Sequence, residues 1–160
     1  MIAKYKDNNY RYINSGEGFE IITKRREKTD STFEKYRDVF HKVVKEDDDI
    51  SAIFKVSIWI YYDIGFPGEP NYWRVTKEND GIKDGKIKLI HDGKYLPGWD
   101  IVDKELCIKY IRYSEVTSCI IKFSYKKKNG IILNRTEEEK IELPIEKLSE
   151  KLDEYDERNL

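Results

Sequence analysis

Apolar and polar positions alternate most regularly in residues 52–62, which predicts the central strand of the protein. Five apolar side chains recur there at every second position: Phe54, Val56, Ile58, Ile60 and Tyr62. The positions between them carry a mixture of apolar and polar residues. This pattern is typical of a strand with one face in a core and the other partly covered, and its β-branched and aromatic residues favour a pleated sheet. We expect this strand to lie inside a sheet, away from its edges.

The segment before the central strand predicts a helix over residues 31–45. Its first residues, Ser31-Thr32-Phe33-Glu34, fit a capping box, in which two side chains satisfy backbone N–H groups at a helix start. Apolar side chains then recur at helical spacing: Phe33, Tyr36, Phe40, Val43 and Val44. The acidic run at residues 46–49 predicts the end of the helix, since acids at a helix C-terminus oppose its dipole.

A second helix is predicted to close the chain. Pro144 suits its first position, because proline lacks an N–H group and its φ angle is already helical. Four apolar residues follow at spacings of three and four: Ile145, Leu148, Leu152 and Tyr155. This spacing predicts an amphipathic helix.

The remaining chain predicts short strands separated by turns. They span residues 10–13 (as an edge strand), 19–23, 72–76, 86–90, 106–113, 118–127 and 131–134, the last extended by residues 140–143. Asn129-Gly130 favours a hairpin, because both central residues of a type I′ turn have positive φ. Because the strands arrive in runs, we predict an α+β fold: a mostly antiparallel sheet of five to seven strands with two amphipathic helices packed on one face.

Composition indicates a single globular domain spanning residues 1–160. Apolar residues make up 39% of the chain and aromatic residues 13%, whereas disordered chains are poor in both. The net charge of −1 argues against a uniformly basic nucleic-acid-binding protein. No apolar run reaches the roughly 18–20 residues of a membrane span, and the first residues do not resemble a signal peptide. We therefore expect a cytoplasmic protein with no membrane contact.

Candidate catalytic chemistry is sparse. The two histidines, His41 and His91, have no partner at metal-ligand spacing. Cys107 and Cys119 lie on strands that flank a turn, and we expect two buried, reduced residues in preference to a redox pair. The acidic run at residues 46–49 is expected to be solvated, with a divalent-ion site as the alternative. We expect no cofactor and no metal, and no catalytic residue is assigned.

Two loops rich in proline and glycine carry large aromatic side chains. The first holds Phe66 and leads into Tyr72 and Trp73, and the second holds Tyr95 and Trp99. Tyr and Trp on loops favour recognition, because they offer a large contact area at a small cost in conformational entropy. The alternative is that these side chains fold back and cover the ends of the core.

Charge is segregated along the last forty residues. Residues 122–135 contain five basic residues and no acid, whereas residues 137–157 contain ten acids against three lysines. The acidic closing helix is expected to contact a partner through Glu150, Asp153 and Glu154. The basic hairpin is a candidate nucleic-acid surface, with the following residues: Arg112, Lys122, Tyr125, Lys126, Lys127, Lys128 and Arg135.

These features predict a small non-enzymatic protein that binds another macromolecule through its aromatic loops and acidic surface. The expected partner is a protein of basic character, and the protein would act as an inhibitor, an immunity-type factor or an adaptor. The first alternative is a nucleic-acid-binding module that uses the hairpin at residues 122–135. The second is an enzyme whose site is dispersed along the sequence.

Overall fold

The computed structural model describes residues 1–14, 18–45, 49–68, 71–77, 81–93 and 95–160. Residues 15–17, between the predicted strands at residues 10–13 and 19–23, lie outside the described residues, as do residues 46–48 of the acidic run. The strands are β1 (Ile2–Tyr5), β2 (Asn8–Asn14), β3 (Phe19–Thr23), β4 (Glu34–Tyr36), β5 (Val39–Val44), β6 (Ile50–Tyr61), β7 (Tyr72–Val75), β8 (Ile82–Lys83), β9 (Lys86–Asp92), β10 (Asp100–Asp103), β11 (Leu106–Arg112), β12 (Ser118–Lys128) and β13 (Ile131–Glu142). A 3-10 turn at Ile145–Lys147 leads into helix α1 (Leu148–Glu154).

The described strands form two sheets, and the predicted α+β class is wrong. One sheet has nine strands, in the order β13-β12-β6-β1-β2-β3-β5-β4 with β7 also paired to β6. The other has four, in the order β10-β11-β9-β8. Across the residues that the structure describes, the fold is mostly antiparallel β, with more strands than expected and without two helices packed on a sheet.

The segment predicted as the first helix is a β-hairpin of β4 and β5. Strand β5 pairs with β3 over residues Phe19–Thr23, so its backbone groups find partners in the sheet. Its three valines also favour strands, because β-branched side chains lose rotamers in a helix. The start of the segment is an Asx turn, in which Asp30 Oδ1 accepts a hydrogen bond from the Thr32 amide at 2.9 Å. The predicted capping box is therefore replaced by a local turn.

The closing helix lies where it was predicted but is short. Its α-helical part has seven residues, and Leu148 is its buried anchor. Pro144 precedes the 3-10 turn that leads into α1. Near its end, Tyr155 packs edge-on against Phe123, with ring centroids 5.6 Å apart.

The prediction of the central strand is confirmed. β6 has twelve residues and lies between β12 and β1 in the sheet. Phe54, Ile58 and Ile60 are buried on the predicted face, and Ile53 on the other face is buried as well. Strand β2, which was predicted at an edge, lies between β1 and β3.

The chain divides into two compact units. The first unit comprises residues 1–56, 122–140 and 153–160, and the second comprises residues 57–121 and 141–152. Tyrosines supply much of the core of the first unit, which contains Ala3, Tyr5, Tyr10, Tyr12, Ile21, Val44, Ile50 and Ile53. The expectation of a single domain stays a prediction.

The turn between β12 and β13 has the predicted geometry. Asn129 and Gly130 both have positive φ, at 50° and 79°, as a type I′ turn requires. Gly130 also donates its amide to the Ser51 carbonyl at 2.8 Å. A Cβ atom added at Gly130 would meet no atom within 4 Å, so only the backbone angle resists a side chain there.

Replacing Gly130 with alanine is expected to lower the free energy of unfolding by about 1 kcal/mol, because alanine is strained at positive φ. Urea unfolding followed by circular dichroism measures this change. Asn134→Ala, at an exposed position of the same hairpin, is the control and should change stability by less than about 0.5 kcal/mol. Equal unfolding midpoints for the two variants would contradict the turn assignment.

Candidate functional site

The clearest candidate site is an aromatic platform on β6 and β7 in the second unit. The register of the two strands sets Trp59 opposite Arg74 and Tyr61 opposite Tyr72 on one face. The opposite face is buried, where Ile58 pairs with Val75 and Ile60 pairs with Trp73. We call Trp59, Tyr61, Tyr72 and Arg74 the aromatic platform. It follows from the period-two alternation of side chains along two paired strands, whose outward face is partly exposed.

Neighbouring groups hold the platform side chains in place. The Trp59 indole N–H donates to Ser57 Oγ at 2.9 Å. Tyr61 and Tyr72 pack edge to face with ring centroids 5.1 Å apart, and the Asn71 side-chain amide reaches the Tyr61 hydroxyl at 3.4 Å. Tyr72 nevertheless exposes 53% of its surface. The platform thus offers ordered aromatic surface, which loses little conformational entropy when a partner binds.

A cleft of about 590 Å³ adjoins the platform within the same unit. Trp59 of β6 and Tyr72 and Arg74 of β7 line it. Strand β9 contributes four further lining residues of mixed character: Lys88, Ile90, His91 and Asp92. The cleft therefore combines aromatic and aliphatic surface with two cationic groups and one carboxylate.

Trp73 and Trp99, both predicted to contact a partner, lie in the core of the second unit. Their exposed fractions are 6% and 5%, and their ring centroids are 5.3 Å apart. His91 packs edge-on against both rings at 6.3 Å. For these two tryptophans the alternative interpretation is correct, since they fold back onto the core.

The other predicted partner-binding residues are at the surface. Phe66 and Tyr95 have exposed fractions of 38% and 59%. Glu150, Asp153 and Glu154 are exposed on α1. Lys147 donates to the Glu150 carboxylate at 2.8 Å, and this hydrogen bond lowers the pKa of Glu150.

The basic hairpin is neutralised by acids on its second strand. Lys122 forms an ion pair with Glu138, and Lys128 forms ion pairs with Glu137 and Glu139. The rest of the predicted surface is divided between exposed and covered side chains. Arg112, Lys126 and Arg135 are exposed, Tyr125 is half-buried against Phe54 and Phe123, and Lys127 is buried. Within the hairpin, Lys122 and Lys128 therefore carry charge that glutamates compensate, and the exposed basic residues are Lys126 and Arg135.

The cysteines are buried and reduced, as predicted. Neither Cys107 nor Cys119 forms a disulfide bond. Burial raises the pKa of the Cys119 thiol to about 11. Among the residues that the structure describes, no group of three His, Cys, Asp or Glu side chains is arranged to hold a metal ion.

Trp59, Tyr61 and Arg74 were missed in the sequence. The signal was present, because Trp59 and Tyr61 lie on the mixed face of the central strand. The strand at residues 72–76 was predicted too, but its pairing with the central strand was not, and Tyr72 and Arg74 join Trp59 and Tyr61 only through the pairing of β6 with β7.

No protein-family model, curated protein or solved structure matches this chain. In the described part of the chain, the helical segments are too short or too polar to span a bilayer.

Two aromatic side chains of the second loop, Trp99 and Tyr95, are expected to respond differently to truncation. Trp99→Ala should lower the free energy of unfolding by about 3–5 kcal/mol, because it leaves a cavity against Trp73 and His91. Tyr95→Ala, which removes an exposed ring, should change it by less than about 0.5 kcal/mol. Urea unfolding followed by tryptophan fluorescence or circular dichroism measures both. Similar losses for the two variants would contradict the assignment of Trp99 to the core.

Cys119 is expected to resist alkylation at pH 8. With the pKa of its thiol near 11, little thiolate forms in the folded protein. Iodoacetamide should therefore modify it more than about 100-fold more slowly than in urea, where the pKa returns to about 8.5. Because the folded-state pKa is the higher one, the stability that this thiol contributes is retained below about pH 8.5 and lost as the pH rises toward 11. Peptide mass spectrometry follows the modification, and equal rates in buffer and urea would contradict the prediction.

Proposed function

We propose that the protein binds another protein through the aromatic platform and catalyses no reaction, as an inhibitor, an immunity-type factor or an adaptor does. The observation that carries this proposal is the register of β6 and β7, which aligns Trp59 with Arg74 and Tyr61 with Tyr72 on one outward face. Trp, Tyr and Arg are the residue types that contribute most often to binding energy in protein interfaces.

The setting of the platform supports this proposal. Exposed Ile90 and half-buried Lys88 line the adjoining cleft, so a partner could place an apolar side chain beside an acidic group there. Residues 137–157 carry ten acids against three lysines, and this net negative charge would attract a basic region of the partner and so accelerate encounter. The two reduced cysteines suit a cytoplasmic setting for this binding.

Nucleic-acid binding by the hairpin has weaker support. Its Lys122 and Lys128 already pair with glutamates of β13, and these acids would repel phosphates. Affinity for nucleic acids depends on lysines and arginines that are available to phosphate groups. We therefore do not advance this function as a second candidate.

Affinity capture from a lysate of the native host, at low and at high salt, tests the proposal. The wild-type chain should retain a protein partner at high salt. Tyr72→Ala should weaken binding of the isolated partner about 30-fold, which corresponds to roughly 2 kcal/mol, because it removes an exposed anchor of the platform. Tyr36→Ala is the matched control, since Tyr36 is a strand tyrosine of the first unit with an exposed fraction of 60%.

Two outcomes would contradict the proposal. One is a partner that binds the Tyr72→Ala variant and a Tyr72→Ala/Arg74→Ala double variant as tightly as the wild type. The other is recovery of nucleic acid alone, with binding lost as salt rises, which would favour nucleic-acid binding by the hairpin instead. Circular dichroism of each variant checks that the fold is intact.

A further inference from the structure

A separate pocket of about 510 Å³ lies within the first unit. Its volume falls in the range of about 300–1,000 Å³ that small-molecule sites occupy. Apolar residues supply much of its lining: Met1, Tyr12, Phe19, Ile53, Ile132 and Leu133. The polar lining consists of Asn14, Lys126, Lys127, Asn134 and Thr136. Apolar walls with a few polar groups are the usual composition of a ligand site.

The polar lining favours an anion. Lys127 exposes only 2% of its surface, and Lys126 beside it is exposed. Of the lining residues that the structure describes, none is acidic. Asn14 and Asn134 add side-chain amides, whose NH₂ groups can donate to an oxyanion. The charged and polar groups of this pocket are thus suited to carboxylate-type oxygens.

The apolar lining favours a hydrophobic or aromatic body on the same ligand. Tyr12 and Phe19 stack nearly parallel, with an interplanar angle of 10° and ring centroids 5.6 Å apart. Tyr12 and Ile53 belong to the buried core of the unit, which holds this wall in place. A preformed aromatic wall can bind a flat or aliphatic group without reorganising.

We propose that this pocket binds a small amphipathic oxyanion, in which a carboxylate is joined to an apolar or aromatic body. Lys127 is the group that selects the anionic head, through a charge-assisted hydrogen bond. Lys127 also has interactions within the chain, and its ammonium group carries three N–H donors, so it can serve an internal partner and a ligand together. This binding site is independent of the proposed function, because its ligand class and its unit both differ from those of the aromatic platform.

Three probes with the same phenylpropyl body and different heads test the proposal: phenylpropionate, phenylpropanol and phenylpropylamine. Each is titrated into the full chain, labelled with nitrogen-15, and followed by two-dimensional NMR and calorimetry. Phenylpropionate should bind at least about tenfold more tightly than the alcohol, since a hydrogen bond to a charged group is the difference between them. The amine should bind most weakly. The shifted resonances should include those of Asn14, Lys127 and Asn134.

Two variants separate the role of the lysine from that of the pocket. Lys127→Met keeps an unbranched side chain in a buried position, and should abolish the preference for phenylpropionate over the alcohol while leaving alcohol binding intact. Asn134→Trp, at an exposed lining position, should fill the pocket and weaken binding of all three probes. Lys55→Met is the control, because Lys55 is an exposed lysine of the same unit and does not line the pocket.

Several results would overturn the proposal. They are the absence of binding by phenylpropionate at millimolar concentration, amine binding as tight as carboxylate binding, or shifts confined to residues outside the pocket. A Lys127→Met variant that keeps the full preference for the carboxylate would also overturn it. If that variant does not fold, the Asn134→Trp variant still tests the site. Undiminished phenylpropionate binding by Asn134→Trp would show that the ligand does not bind in this pocket.

Discussion

The pairing of β6 on both of its edges is the constraint on which most of this structure depends. Along its twelve residues, buried side chains occur on both faces, with Ile53 on one and Phe54 on the other. A strand in that position must present few charged groups and must find backbone partners on each side. Toward its C-terminal end, β6 pairs with β7, which sets Trp59 opposite Arg74 and Tyr61 opposite Tyr72. The strand pairing that satisfies the backbone of β6 therefore also forms the aromatic platform.

The tryptophans and tyrosines of the two predicted aromatic loops divide according to their chemistry. Trp73 and Trp99 are buried against each other, whereas Tyr72 and Tyr95 are exposed. Tyrosine carries a hydroxyl that can stay in water while its ring covers apolar neighbours, and a tryptophan pair buries a larger apolar area. The first unit uses tyrosine differently, since Tyr5, Tyr10 and Tyr12 are core residues there. Buried Tyr10 keeps its hydroxyl satisfied by donating to the Lys28 carbonyl at 2.6 Å.

Charge segregation along the sequence becomes charge pairing in the fold. The lysines of β12 and the glutamates of β13 are separated in the chain, but the hairpin joins them, as in the pair of Lys122 with Glu138. Surface ion pairs of this kind contribute at most about 1 kcal/mol each to stability. Their larger effect is on recognition, because they cancel the positive potential that phosphate binding needs. Lys127 is different, since it is buried beside an apolar pocket that is independent of the platform.

Local pattern alone determined the central strand, the strand at Phe19–Thr23 and the turn at Asn129-Gly130, because period-two alternation and positive φ are properties of neighbouring residues. The prediction from local pattern was wrong at residues 31–45. Apolar residues recur there at helical spacing, but in the folded sheet β5 pairs with the edge of β3 and the segment forms strands. Tyr72 was anticipated as a surface residue, but its alignment with Tyr61, the burial of Trp99 and the pocket around Lys127 were not. These arrangements depend on how separate segments pair and pack, and the local pattern of apolar and polar residues does not specify which segments meet.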